Sequence, residues 1–427
     1  MLILIKNGFV VDPGNLNGIM NILIKDDKIA EITMDEPAVV GENVKIIDAT
    51  NQIVTPGLID MHVHLREPGD EYKETIETGS KAAVFGCFTA LCAMPNTNPV
   101  NDKKEVTEYI LQKAKKAGYA RVYPVGAISC NQEGKFLTQF FDLKESGVKA
   151  LSDDGFPVSN SLMMRRALEY ASEFGISVIS HCEDLNLAKS GVMNEGEVAT
   201  RMGLAGIPNA AESIAVMRDI ALCELTGAHL HIAHVSTKES VEAIMEAKKR
   251  DAPVTAETAP HYFTLTHDAV CDYNTFAKMN PPLRSSEDKE AVRCGLADGT
   301  IDVIATDHAP HSSIEKDIEF ELAANGIIGL ETSVSLSLKL VEDGVLSIDK
   351  LIEKMSKNPA KILKIENSLK PGAVADITII DTDSPYTVNA AEFQSLGRNT
   401  PFDGMKMRGR AVCTIVGGKV LFEKGRN

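Results

Sequence analysis

Eight short apolar runs separated by helical stretches occupy residues 54–310, and this alternation restricts the fold more than any other feature of the chain. The runs are 54–65, 89–94, 122–129, 148–154, 177–184, 229–236, 254–259 and 302–309, with helical stretches such as 103–116, 160–174, 211–226 and 238–250 between them. Strands alternating with helices make parallel βαβ units, and strands covered on both faces read as nearly continuous apolar segments. Eight such units predict an α/β protein built on a (β/α)8 TIM-like barrel. The two ends of the chain read differently. Residues 1–53 hold "LILIKNGFVVD", "MNILIKDDKIAEI" and "VKIIDATNQIV", and β character returns in "ADITIIDTD" and "GRAVCTIVGGKVLFEKG". Residues 1–53 and 366–427 are therefore expected to pair into a small β-sandwich domain beside a barrel of residues 54–365.

The stretch "GLIDMHVHLREPG", residues 57–69, closes the first run with His62 and His64, followed by Arg66. Barrels of this type build their active sites at the C-terminal ends of the strands. His62 and His64, two apart, share a strand face. Asp153 and Asp154 end the fourth run, His181 the fifth, His231 and His234 the sixth, and Asp307 the eighth, with His308 and His311 just beyond. A single histidine at a strand end reads as a hydrogen-bonded core residue. Imidazoles and carboxylates converging from separate strands on one rim read as a metal centre. A set of nitrogen and oxygen donors suits zinc, with Mn²⁺ or Co²⁺ able to substitute. Two histidines, an aspartate, two more histidines and a second aspartate exceed one tetrahedral shell. Two ions sharing a carboxylate, about 3.5–4 Å apart, match that number and would acidify a shared water. Adjacent residues face opposite ways, so spacing alone leaves Asp153 and Asp154 both open as the shared ligand. Lys149 is on the opposite face from Asp154. It shares a face with Asp153 but lies ~13 Å deeper, so it is not expected to reach the ions.

Charge and cysteine usage narrow the partners. Lys and Arg number 44 against 60 Asp and Glu, a formal net charge of -16. That balance argues against nucleic acid or an anionic membrane. The N-terminus "MLILIKNGFVVD" lacks the pattern of a secretory signal, and no apolar run reaches membrane-span length. Eight scattered cysteines without a Cys-x-x-Cys pair read as reduced thiols, which together with the N-terminus predicts a cytoplasmic protein.

Several motifs carry a resemblance across nearly the whole chain. "PGLIDMHVHLREPG" resembles the opening signature of the amidohydrolase superfamily and of dihydroorotases in particular. "AMPNTNPV", "SDDG", "HCED", "HIAHVST", "AETAPHYF", "KMNPPLR", "ATDHAPH", "GLET" and "NTPFDGMKMRGRAVCTIVGGKV" are similar to the bacterial type I members. The resemblance implies reversible cyclisation of N-carbamoyl-L-aspartate to (S)-dihydroorotate, in pyrimidine synthesis, through a hydroxide shared by two zinc ions. His62 and His64 would hold one zinc, His181 and His234 the other, and Asp154 both. Asp307 would join the first zinc and act as general acid/base. His64, Arg66, Asn96, Asn280, His311, Asn325 and Gly326 would meet substrate. Where related chains often read Pro-Phe-Gly before "GLET", this chain reads Ala324-Asn325-Gly326. His261 is expected to support the site from behind, and His229, His231 and His267 to be structural. The charged stretch 312–326 reads either as a solvated loop or as a lid over the barrel mouth. Expected partners are a small-molecule substrate, a second copy of the chain in a homodimer, and an aspartate transcarbamoylase. Two rivals stand beside this reading. One is a hydantoinase, dihydropyrimidinase or allantoinase, for which Arg66 and Asn96 offer a carboxylate site without a purpose. The other is a non-catalytic partner of a transcarbamoylase, which has no need of six ligands.

Overall fold

The computed structural model describes residues 1–37 and 44–425. Eight parallel strands follow one another in chain order: Leu58–Val63, Phe88–Ala93, Arg121–Gly126, Ala150–Ser152, Ser177–Ser180, Leu230–Ile232, Val254–Thr258 and Val303–Ile304. A parallel bridge between Val63 and His308 brings the two ends of this sheet together, and His64 N donates to His308 O at 2.8 Å. The result is the expected barrel, coated by helices that include Lys104–Ala117, Ser161–Phe174, Asn209–Thr226 and Lys238–Lys249. The helix Ser161–Phe174 shows how the chain encodes them. Asn160 caps its start by accepting from Leu162 N and Met163 N, and Gly175, at φ 64°, ends it. Met164, Ala167, Leu168 and Ala171 repeat at helical spacing and are its buried face.

The apolar run expected as one strand over 54–65 is two strands in two sheets. Ile53–Pro56 pairs with the N-terminal strand Leu2–Asp12 and with Ile377–Thr387. The barrel begins only at Leu58. Gly57 makes the junction, because a Cβ there would lie 1.9 Å from Thr89 Oγ1. Hydropathy does not mark this break, since both segments are buried. Strands from both ends of the chain join in one eight-stranded, mostly antiparallel sheet around Ile3, Ile5, Ile22, Ile24, Ile377 and Ile379. A paired contact from Arg121, Nε to Asp376 Oδ2 at 2.8 Å and Nη2 to Oδ1 at 3.1 Å, ties this sheet to the barrel.

The charged stretch 312–326 is folded against the barrel mouth. The buried Lys316 ammonium donates to the carbonyls of Lys278, Ala324 and Gly326 at 3.2, 2.7 and 3.0 Å. Lys278 Nζ in turn donates to Phe320 O and Glu321 O at 2.8 and 3.0 Å. Burial pushes Lys316 down to about 7. Ile314 and Leu322 face outward, while Phe320 and Ala323 pack inside. All eight cysteines are unpaired. Among the described residues no helix is long and apolar enough to cross a membrane.

Candidate metal centre

The strand ends place two donor triads at one mouth of the barrel. His62, His64 and Asp154 form one, and Asp154, His181 and His234 form the other, with ligand atoms within 4.8 Å of one another in each. Asp154 Oδ1 lies 3.3 Å from His62 Nε2, 3.4 Å from His181 Nδ1 and 3.5 Å from His234 Nε2, and its Oδ2 lies 3.4 Å from His64 Nε2. Asp307 Oδ1 adds a carboxylate 3.2 Å from His64 Nε2 and 3.7 Å from His62 Nε2. Asp153 faces the other way. It accepts from Ile128 N, Ser129 N and the Ser129 hydroxyl, and burial raises it to about 6.

Burial alone would raise Asp154, but the charge of His62 and contacts with His181 and His234 hold its carboxyl well below the usual carboxylate range. Asp307 behaves alike: burial opposes ionisation, and the His64 hydrogen bond with the charges of His62, His64 and His234 prevails. The donors fit a cation. Their free atoms point at one volume, and His62 Nε2 and Asp154 Oδ1 are buried there without a hydrogen-bond partner. Imidazole and carboxylate donors of this kind hold zinc, manganese or cobalt.

Three of the histidine ligands are aimed by partners behind them. His62 Nδ1 lies 2.7 Å from Glu257 Oε1, His64 Nδ1 2.8 Å from Asn96 Oδ1, and His181 Nε2 3.4 Å from Glu183 Oε2. Such partners fix the tautomer and orientation of a metal-ligating histidine. Burial opposes the charge on Glu257, yet hydrogen bonds from His231 and His62 bring it down to about 2. Glu257 and Glu183 are the site residues that sequence reasoning missed. Their signal was present as the single charged residue in "VTAETA" and as a carboxylate two residues after the histidine in "HCED".

The substrate-side residues stand around the same mouth. Arg66 Nε donates to Pro310 O at 3.2 Å, and its Nη2 lies 3.3 Å from His311 Nε2, which is itself 2.8 Å from Asn325 O. Glu183, Asn280 and Asn325 line a cavity of about 190 Å³. Asn280 Nδ2 donates to Glu183 Oε2 at 3.2 Å, while Asn280 Oδ1 and His311 Nδ1 are buried without hydrogen-bond partners. Gly326 gives its N–H to Lys278 O at 3.0 Å, and its φ of 124° places it at a turn beside Asn325. His261 is buried close enough to feel Asp307 and His234, and burial lowers it to about 4. Lys149 lies over the Tyr123 ring, 5.8 Å from its centroid. His267 Nδ1 lies 3.4 Å from Asn194 Nδ2.

Arg66, His234 and Asp307 have φ values of 60°, 34° and 49°. Left-handed backbone at a non-glycine residue costs on the order of 1–3 kcal/mol and clusters at functional sites. The eighth strand, Val303–Ile304, ends shortly before the turn that aims Asp307, and Ala305 N still donates to Thr258 O at 3.1 Å.

A parallel barrel with histidine and aspartate donors at its C-terminal rim is the architecture of the amidohydrolases. The Dihydro-orotase-like family matches residues 51–240. The chain is 55% identical over 424 residues to the dihydroorotase of Desulforapulum autotrophicum, covering 99% of this chain and 100% of the relative. It is 56% identical over 426 residues to that of Geobacter metallireducens, with 99% and 100% covered. Among solved structures, the L-hydantoinase (dihydropyrimidinase) from Arthrobacter aurescens superposes with a TM-score of 0.88 at 27% identity, over 99% of this chain and 96% of that one. The D-hydantoinase from a Thermus species gives 0.85 at 26%, with 99% and 96% covered. The chain belongs to the dihydroorotase family.

Proposed function

We propose that the chain is a dihydroorotase that interconverts N-carbamoyl-L-aspartate and (S)-dihydroorotate at a pair of zinc ions. The observation that carries the reading is the sharing of Asp154 between two donor triads. His62 and His64 would hold one ion, His181 and His234 the other, Asp154 both, and Asp307 would join the first. Ions held there supply Lewis acidity and acidify water near neutral pH. Within the chain, Arg66 has Nη donors left to take the substrate carboxylate as a planar fork. Asn96, with its oxygen on His64, keeps its amide N–H for the same carboxylate. Asn280 Oδ1 awaits a ring N–H, and Asn325 would meet the ring beside His311, whose Nε2 lies 2.8 Å from Asn325 O. The lysine-braced segment 312–326 would cover that ring and exclude water.

The hydantoinase reading fits less well. Arg66 at the mouth favours a substrate with a free carboxylate, and Lys149 lies against Tyr123 instead of beside the ligands. Hydrolysis of dihydroorotate, hydantoin, dihydrouracil and allantoin, each with and without chelator, tests the choice. Turnover of dihydroorotate alone, abolished by chelator, is expected. A comparable kcat/KM for hydantoin would sink the assignment, and turnover untouched by chelator would sink the metal centre. The same reading extends to a cytoplasmic homodimer and to docking of an aspartate transcarbamoylase, which sedimentation of the chain alone and mixed with that enzyme would test.

Arg66→Lys should keep the metal and raise KM for dihydroorotate by about 10-fold or more, since an ammonium offers no two-donor fork. An unchanged KM would remove Arg66 from the carboxylate site.

A further inference from the structure

The sixth and seventh barrel strands carry polar side chains that touch neither donor triad. His229, His231 and Thr255 lie below the metal centre and, with Glu257, complete an unbroken hydrogen-bonded column through the barrel. His62 Nδ1 meets Glu257 Oε1 at 2.7 Å, and Glu257 Oε2 meets His231 Nε2 at 3.1 Å. His231 Nδ1 meets Thr255 Oγ1 at 2.8 Å, and Thr255 Oγ1 meets His229 Nε2 at 3.1 Å. His229 Nδ1 meets Ser177 Oγ at 3.0 Å. His62, Glu257 and His231 are buried. The lower end opens on a cavity of about 500 Å³ lined by Ser177, His229 and Thr255, where the strands begin.

One assignment orders every proton in this column. If His62 gives its Nε2 lone pair to a metal, its single proton sits on Nδ1 and is donated to Glu257. The other Glu257 oxygen can only accept, so His231 donates through Nε2 and leaves a lone pair on Nδ1. The Thr255 hydroxyl must then donate upward to His231. Its own oxygen accepts from His229 Nε2, and His229 Nδ1 accepts from Ser177. Four donors, from Ser177, His229, Thr255 and His231, point toward the metal centre and the His62 proton points back, so both runs end on the Glu257 carboxylate, and the four aligned bonds strengthen one another.

We propose that His231 and Thr255 are positioning residues for the metal centre, which hold His62 in its Nδ1–H tautomer by way of Glu257. The inference rests on His62 coordinating through Nε2. It gives a purpose to the extra histidines of "HLHIAH", where only His234 belongs to a donor triad. Val in place of Thr255 keeps the shape but removes both the donor to His231 and the acceptor for His229. His231 is then free to turn or change tautomer, and Glu257 loses its fixed partner.

The test uses the full chain loaded with zinc. Zinc release to a chelator and zinc content per chain are measured beside kcat and KM. Partners behind a metal ligand are typically worth 10–100-fold in metal affinity, so His231→Phe should release zinc about 10-fold faster and Thr255→Val about threefold faster. Thr255→Ser, which restores the hydroxyl, should match the unaltered chain, and KM for dihydroorotate should not move in any of the three. Wild-type release rates in both Thr255→Val and His231→Phe would overturn the proposal. So would Thr255→Ser as fast as Thr255→Val, since the effect would then come from packing. His62→Ala separates the two levels. If it keeps a full complement of zinc, the ligand set fails and the column with it. If it loses zinc while Thr255→Val and His231→Phe do not, the column alone is wrong.

Discussion

Asp307→Asn is expected to keep zinc and substrate yet lose turnover by roughly 10²–10⁴-fold, the share a positioned acid–base group supplies. Asp307 follows the eighth strand and is turned into the site by its left-handed backbone. Its Oδ1 lies 3.2 Å from His64 Nε2, and the surrounding imidazoles keep its carboxyl ionised despite burial. An ionised carboxylate at that position is a base. In the hydrolytic direction it would take a proton from the attacking water as oxygen bonds to the ring amide carbon. It would return that proton to the ring nitrogen as the carbon–nitrogen bond breaks. Asparagine has the same shape and can still sit beside the ions, but it cannot carry the proton. The effect should therefore fall on kcat with KM little changed, as for an interaction made in the transition state. Zinc analysis of the same preparation distinguishes a lost proton carrier from a lost ligand. If Asp307→Asn kept most of its turnover, His311 would be the next group to examine, because its Nδ1 is buried without a hydrogen-bond partner, 3.8 Å from Glu315 Oε2.

The parts of this site that the sequence made legible are those with a local period. His62 and His64 are two apart, so a strand had to aim them together, and the strand-end rule gathered Asp154, His181, His234 and Asp307 onto one rim. The choice of Asp154 over Asp153 depended on the family likeness, because adjacent residues on a strand carry no label for inside and outside. Glu257 was harder still. It is 195 residues from the imidazole it orients, and a carboxylate in an apolar run gives no hint of its distant partner. The break at Gly57 was hidden for a different reason. Both flanking segments are buried, so apolar character continues across the change of sheet. Lys316 lies in the stretch 312–326 that the sequence leaves open between a solvated loop and a lid, and three backbone carbonyls take its three donors and allow it to be buried.

Replacing the metal ligands should divide the centre in a way that tests whether it is a pair. The unaltered chain is expected to bind about two zinc ions, because the donors exceed one four-coordinate shell. His62→Ala removes a donor from the triad with His64, and His181→Ala removes one from the triad with His234. Each should lower zinc content toward one ion and reduce turnover by at least about 10²-fold, since the Lewis acid and the acidified water need both. Asp154→Ala is different. Its carboxylate belongs to both triads, with Oδ1 near His62, His181 and His234 and Oδ2 near His64. It also carries the negative charge that would lie between two dications, whose repulsion grows with the product of their charges. Losing it should empty both positions together, so Asp154→Ala should fall below either histidine variant in zinc content. Elemental analysis across the four proteins reads this directly. One ion per chain at full activity would reduce the centre to a single site. Equal zinc loss in His62→Ala and Asp154→Ala would show that the carboxylate is not shared.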